Sequence, residues 1–201
     1  MSSNTVAVDV DGRTLRLSNL DKVLYPEVGL TKSEIITYYT TVAPVLLPHL
    51  ADRAMVMKRY PDGAASEPFF MKRAPSPRPE WIQTCAIAHA SGNVIDFPMI
   101  QDLASLLWVI NLGCIDLNPW YARCDDVDRP DYLHFDLDPG SGATFDHVRE
   151  SGLILHEALE EIDDPPRGGC IFAAARREGS RDECEKRAID QRVSVDKKES
   201  W

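Results

Sequence analysis

No stretch of this chain is apolar for the roughly 18 residues that a helix needs to cross a bilayer, and its start, MSSNTVAVDV, lacks the charged and then apolar run of a secretory leader. A cytoplasmic protein without membrane contact is therefore expected. Paired cysteines are missing as well. Cys85, Cys114, Cys124, Cys170 and Cys184 are odd in number, scattered and free of any C-x-x-C spacing, which argues against a disulfide framework and against zinc. Nor is there an excess of basic residues. With 22 Lys and Arg against 32 Asp and Glu, the formal net charge is -10, so the chain cannot coat nucleic acid through bulk charge. Any contact with phosphate must be local. The histidines suggest no catalytic triad: His134 reads as structural, and His49, His89, His147 and His156 occupy ordinary surface or helix positions.

What is present is ordinary globular chemistry. At 201 residues, with 44% hydrophobic and 27% charged side chains, the chain can bury one sizeable core. Alternating runs on either side of Asp11-Gly12 predict an N-terminal hairpin over residues 6–17. Thr31-Lys32-Ser33-Glu34 is a capping box that starts a helix, with Ile35, Tyr38, Tyr39 and Val42 on one face until Pro44 kinks or ends it. Short strands are expected at Ala54 to Arg59, Phe69 to Lys72, Thr84 to His89 and Val94 to Phe97. A helix over Gln101 to Leu112 should be capped by Asp102 or Ser105 and stopped at Gly113. The apolar run Tyr132 to Leu137 reads as a buried central strand. It is followed by a long helix from Thr144 to about Ile162 with Phe145, Val148, Leu155 and Leu159 turned inward. The order is α+β, or mixed α/β. After Pro165-Pro166 the composition turns charged and poor in aliphatic residues, so residues 1–162 are read as the folded part and 163–201 as a divergent tail, weakly helical or disordered. No internal repeat is visible.

Asp136 and Asp138 flank Leu137 at the end of the apolar run. Residues two apart in a strand share a face, and two adjacent carboxylates repel unless a cation sits between them. A pair of Mg²⁺ or Mn²⁺ ions is one solution and suits in-line phosphoryl transfer. The plain alternative is a solvated strand end, since Asp before Pro-Gly is ordinary turn chemistry. Asp-x-Asp also occurs in sugar-nucleotide transferases and aspartyl-phosphate phosphatases, although the phosphatase pair lies on the first strand, unlike this late one. By itself the pair names no reaction.

The segments SNLDKVLYP (18–26), TKSEIITYYTTVAPVLLPHL (31–50), KRYPDG (58–63), FFMKR (69–73), NPW (118–120) and DRPDYLHFDLDPG (128–140), taken together, resemble the polymerase domain of bacterial DNA ligase D. That family belongs to the archaeo-eukaryotic primase superfamily and acts in nonhomologous end joining. The resemblance spans residues 13–162 and implies a primase-polymerase fold, a central mixed sheet flanked by helices. It implies a template-dependent nucleotidyl transferase that fills broken DNA ends with nucleoside triphosphates, using Mn²⁺ or Mg²⁺, alongside Ku and an ATP-dependent DNA ligase. By the same resemblance, Asp136 and Asp138 are catalytic metal ligands, and Asn19, Lys22 and Lys32 form a pocket for the 5′-phosphate of a DNA end. Lys32 at a helix N-terminus suits that role, because backbone N–H groups there add positive potential. Phe69 and Phe70 match a pair on which a template base stacks. Adjacent strand residues point to opposite faces, so one of the two is expected in the core. Lys58 and Arg59 match nucleotide or template phosphate contacts. Asn118 stands where family members carry a histidine near the incoming nucleotide, and its amide can still donate and accept.

The family pattern continues with a Ser-x-His motif for the triphosphate and a third metal carboxylate on a later strand. No histidine follows His156, and Asp182 and Asp190 lie in charged, non-strand surroundings. The fold is thus expected to be incomplete at its C-terminus and polymerisation by this chain impaired. Two alternatives remain at this point: a non-catalytic module that binds 5′-phosphorylated DNA ends, and an unrelated metal-dependent sugar-nucleotide transferase.

Overall fold

The structure is a computed structural model that describes residues 5–89 and 92–161. The expectations for the tail from residue 163 onward, Asp182 and Asp190 included, lie outside the described residues. The chain divides into two units, Met1–Arg129 and Pro130–Trp201.

The first unit opens with the expected hairpin, β1 (Thr5–Val10) and β2 (Arg13–Ser18), whose register pairs Val10 with Arg13. Both turn residues are left-handed, with φ of 53° at Asp11 and 77° at Gly12. That geometry matches the twist of the flanking strands and is open to few residues besides Gly, Asn and Asp. Leu15 and Leu17 alternate inward on β2 while Thr14 and Arg16 face out. Two short strands that the sequence did not announce, β3 (Val23–Tyr25) and β4 (Leu30–Thr31), pair antiparallel and return the chain to the first helix.

That helix, α1 (Lys32–Leu50), carries the predicted capping box: the Thr31 hydroxyl accepts the Glu34 N–H and the Glu34 carboxylate accepts the Thr31 N–H at 2.7 Å. It does not end at Pro44. It runs through Pro44 and Pro48, because Ile35, Ile36, Ala43 and Leu50 form a buried stripe on both sides of the prolines. Packing of that stripe outweighs the local cost of a helix proline, about 3 kcal/mol.

β5 (Met55–Arg59), β6 (Phe69–Met71), β7 (Thr84–Ala88) and β8 (Val94–Pro98) fall where the sequence put them. α2 (Leu103–Asn111) is capped by Asp102 in a box with Ser105, and everything from Ala104 to Ile110 is buried. Gly113 stops it, with φ of 79° and a position where a Cβ would lie 3.3 Å from the Tyr60 carbonyl oxygen. A further strand, β9 (Cys114–Pro119), was not anticipated. Its Ile115-Asp116-Leu117-Asn118 alternation is the period of a strand, short and set directly behind the helix stop at Gly113. The strands form an antiparallel sheet in the order β6-β5-β9 and separate antiparallel pairs β1-β2, β3-β4 and β7-β8. Helix and sheet mix as expected. Among the described residues, however, the ladders are all antiparallel and divided among small sheets. Leu15, Leu24, Met55, Met57, Leu106 and Ile110 are almost fully buried and anchor the main core.

In the second unit the expected strand over Tyr132–Leu137 is absent: this stretch has a β-bridge at the single position Asp136. An apolar run supplies side chains to bury, but a strand also needs a neighbour for its backbone groups, and no ladder forms here among the described residues. The helix does form, as α3 (Phe145–Glu161). Val148 is buried and Leu155 and Leu159 are half-buried, as read from the sequence. Phe145 is 61% exposed, against expectation. As the first helical residue it has no preceding turn to pack onto.

Candidate nucleic-acid and nucleotide interface

Three of the residues assigned to phosphate recognition are tied together by backbone hydrogen bonds. The turn from Asn19 to Lys22 closes through the Lys22 N–H to the Asn19 carbonyl at 3.0 Å, and Asn19 itself takes a left-handed φ of 54°. The first N–H groups of α1 then donate back to this turn, Lys32 to the Lys22 carbonyl at 2.8 Å and Ser33 to the Leu20 carbonyl at 2.9 Å. Lys32 is only 6% exposed, and its Nζ donates to the Ser18 carbonyl at 2.7 Å. Among the described residues it pairs with no carboxylate. Burial first, then the like charges of Lys22 and Arg59, pull its pKa down to about 8. A cation kept in such surroundings gains most from an incoming anion. Lys22 reaches in a different direction, with its Nζ donating to the Pro61 carbonyl and lying 3.5 Å from Asp62 Oδ1. The Tyr60-Pro61-Asp62 loop is therefore held against the Asn19–Lys22 turn.

The second group lies on the β6-β5-β9 sheet. Register sets Lys58 opposite Phe70 and Arg59 opposite Phe69. The expectation that one phenylalanine is core does not hold: Phe69 is 42% and Phe70 62% exposed. β6 is a three-residue edge strand, and each ring is covered by a cation from β5 instead. Arg59 sits 5.2 Å from the Phe69 centroid, and Lys58 Nζ lies 5.7 Å from those of Phe70 and Tyr60. Arg59 is also anchored, with Nε donating to the Leu112 carbonyl at 2.8 Å, and burial lowers its pKa. Lys58 stays firmly charged, since hydrogen bonds to the Tyr60 side chain and to Asp116 raise its pKa.

Asn118 lies on β9, two residues from Asp116, and donates through Nδ2 to the Asp116 carboxylate at 3.3 Å. Asp116 was not singled out from the sequence. Its signal was there, a carboxylate alternating with apolar residues in the strand next to Lys58. Asp116 also borders a cleft of about 730 Å³ walled by Tyr25, Tyr38, Tyr39 and Tyr60. None of the residues assigned from the sequence lines that cleft.

In the second unit Asp136 and Asp138 are exposed on either side of half-buried Leu137, and the strand from which a shared face was expected is not formed. A Cβ at Gly152 of α3 would come 3.7 Å from Leu137 Cδ1, which places that leucine against the helix. Carboxylate oxygens are the hard donors that Mg²⁺ and Mn²⁺ take. Among the described residues no group of three or more His, Cys, Asp or Glu side chains is arranged to hold a metal ion, so the pair stands without a third ligand. No helix among them is long and apolar enough to cross a membrane.

Residues 31–166 match the family described as LigD, primase-polymerase domain. The chain is 39% identical over 151 residues to the multifunctional non-homologous end joining protein LigD of Mycolicibacterium smegmatis, covering 74% of this chain and 20% of that protein. It is 32% identical over 148 residues to the bifunctional non-homologous end joining protein LigD of Bacillus subtilis, covering 74% and 22%. Among solved structures, the polymerase domain of Mycobacterium tuberculosis ligase D in complex with DNA superposes with a TM-score of 0.65 at 28% identity, over 74% of this chain and 54% of that one. The chain thus spans about a fifth of the length of the curated relatives it matches.

Proposed function

Because the chain belongs to the LigD primase-polymerase domain family, a family of metal-dependent nucleotidyl transferases, we propose that it serves template-dependent nucleotide addition at broken DNA ends in bacterial nonhomologous end joining. The observation that carries this reading is Lys32, a nearly buried lysine strapped beside Asn19 and Lys22 at the start of α1 and lacking a carboxylate among the described residues. That arrangement suits the 5′-phosphate of a DNA end, which brings the missing negative charge. Phe69 and Phe70 offer exposed rings to a template base, Lys58 and Asn118 share the sheet face that takes the incoming nucleoside triphosphate, and Arg59, on the opposite face with Phe69, is left for a template phosphate. The solved relative was captured with DNA, which favours this reading over a sugar-nucleotide transferase.

Asp136 and Asp138 would hold Mn²⁺ or Mg²⁺. Bound there, such ions would supply Lewis acidity to an attacking 3′-hydroxyl and positive charge for triphosphate oxygens. Ku and an ATP-dependent ligase are its partners in the joining reaction, in the cytoplasm.

The test is binding of the purified chain to gapped duplexes that differ only in a 5′-phosphate, together with titration of ATP in the presence of Mn²⁺. Tighter binding of the phosphorylated gap, lost in Lys22→Ala plus Lys32→Ala, and metal-dependent ATP binding are expected. Equal affinity for both duplexes with no ATP binding would overturn the reading.

A further inference from the structure

We propose that Asp116 is a positioning residue of the nucleotide face: its carboxylate bridges Lys58 on β5 and Asn118 on β9 and sets both for an incoming nucleoside triphosphate, an inference that rests on the reading of that face given above. Lys58 and Asp116 are direct cross-strand partners, and Asp116 and Asn118, two apart on β9, share one face. The two carboxylate oxygens are divided between them. Oδ2 lies 3.0 Å from Lys58 Nζ, and Oδ1 accepts from Asn118 Nδ2 at 3.3 Å. Asn118 Nδ2 also reaches the Asp116 backbone carbonyl at 3.2 Å.

Each of these bonds has a consequence for a ligand. A carboxylate only accepts, so Asn118 must turn its NH₂ toward Asp116, and the amide is left with its Oδ1 as the group for a ligand. That selects a donor on the ligand, and a nucleotide offers two kinds, the sugar hydroxyls and the exocyclic amine of a base. Lys58 is a flexible side chain that would lose rotamer freedom on meeting a phosphate. Held by Asp116 and laid between the Phe70 and Tyr60 rings, it has already lost much of that freedom. The Lys58 ammonium has three N–H donors, so engagement with Asp116 and the Tyr60 side chain leaves one for a phosphate oxygen.

An opposite effect competes with positioning. A carboxylate beside a triphosphate repels it, and Asp116 holds a cation the phosphate also wants. The sign of the Asp116→Ala effect therefore decides the matter. Isothermal titration of the full chain with ATP and Mg²⁺ is the measurement. If Asp116 positions the pair, Asp116→Ala weakens binding about tenfold. Asp116→Asn falls between it and the parent, because the amide keeps one accepting oxygen but loses the charge that holds Lys58 and turns a donating NH₂ toward one of its two partners. The effect must also run through its partners: added to Lys58→Ala plus Asn118→Ala, the Asp116→Ala change costs little more. Unchanged or tighter binding by Asp116→Ala overturns the inference, and so does a loss that adds in full on the Lys58 and Asn118 double variant. Circular dichroism melts of the Asp116→Asn protein separate a folding defect from a binding one. A parent chain that binds no ATP overturns the nucleotide face itself, and this inference with it.

Discussion

The Nζ of Lys32 donates to the carbonyl oxygen of Ser18 at 2.7 Å, so the last residue of the N-terminal hairpin faces the first residue of α1 through a buried charge. Burial and the neighbouring Lys22 and Arg59 leave that charge poorly stabilised, with a pKa near 8. Its protonation is open to change in a range where DNA stays intact.

The preference for a 5′-phosphorylated gap should accordingly trace a bell against pH. It rises through about pH 6 as the phosphate monoester takes its second charge, and it falls above about pH 8 as Lys32 loses its proton. Bound phosphate favours the charged lysine, so the falling limb in the complex lies above the value for the free chain. Folding responds with the opposite sign. The folded pKa is below that of the unfolded chain, so between the two the unfolded state holds the extra proton and stability rises with pH. The ratio of affinities for the two gapped duplexes, measured across this range, checks the first statement. A flat ratio would remove Lys32 from the phosphate site.

Phe69→Ala and Phe70→Ala should separate binding from stability. Both rings are exposed at a sheet edge, and each variant loses one cation–ring contact of about 0.5–1 kcal/mol. Urea midpoints should therefore move little. Loss of a stacking platform weakens binding of a single-stranded template by about 1–3 kcal/mol per base. Large destabilisation with unchanged template affinity would make the pair structural.

Those two rings also mark what could be read from the sequence and what could not. Local chemistry was legible: the Asp11-Gly12 turn, the Thr31 to Glu34 box, the Asp102 cap and the Gly113 stop are short-range choices made by neighbouring residues. The run at Tyr132–Leu137 misled, and the helix did not end at Pro44, because both outcomes depend on distant partners. A buried stripe carried α1 through its prolines, and no neighbouring ladder made a strand of the apolar run. Phe69 and Phe70 were misjudged for a similar reason, since the rule that one face of a strand is buried fails at an edge of three residues. The link from Asp116 to Lys58 and Asn118 required strand register, which no residue in β9 states alone.

Asp102→Ala should be among the more costly single changes in the first unit. Asp102 accepts the Ser105 N–H at 2.9 Å as the cap of α2 and also pairs with Arg13 on β2, so it ties the hairpin to the buried helix. Losing the cap costs about 1–2 kcal/mol. Burial alone would raise its pKa, but the Ser105 bonds and Arg13 outweigh it and the net shift is downward. A depressed carboxylate stabilises the fold above its unfolded pKa, and that contribution is lost as pH falls through the folded value. The gap in urea midpoint between parent and Asp102→Ala should close in acid, with Asp102→Asn retaining part of the cap at neutral pH.

Asp136→Asn plus Asp138→Asn provides the complementary separation. Both carboxylates are exposed and the change is close to isosteric, so packing of the intervening Leu137 against α3 is left in place. What changes is charge. Neutral amides bind Mn²⁺ far less well than carboxylates, and with two proposed donors among the described residues each would carry a large share of the affinity. Titration of ATP with and without Mn²⁺ should show a metal-dependent gain in the parent that falls by about tenfold or more in the variant. The 5′-phosphate preference, proposed to depend on Asn19, Lys22 and Lys32, should be unaltered. Lys22→Ala plus Lys32→Ala should give the converse, with phosphate preference lost and the metal-dependent ATP term kept. Equal loss of both properties in either variant would indicate a damaged fold rather than separable sites.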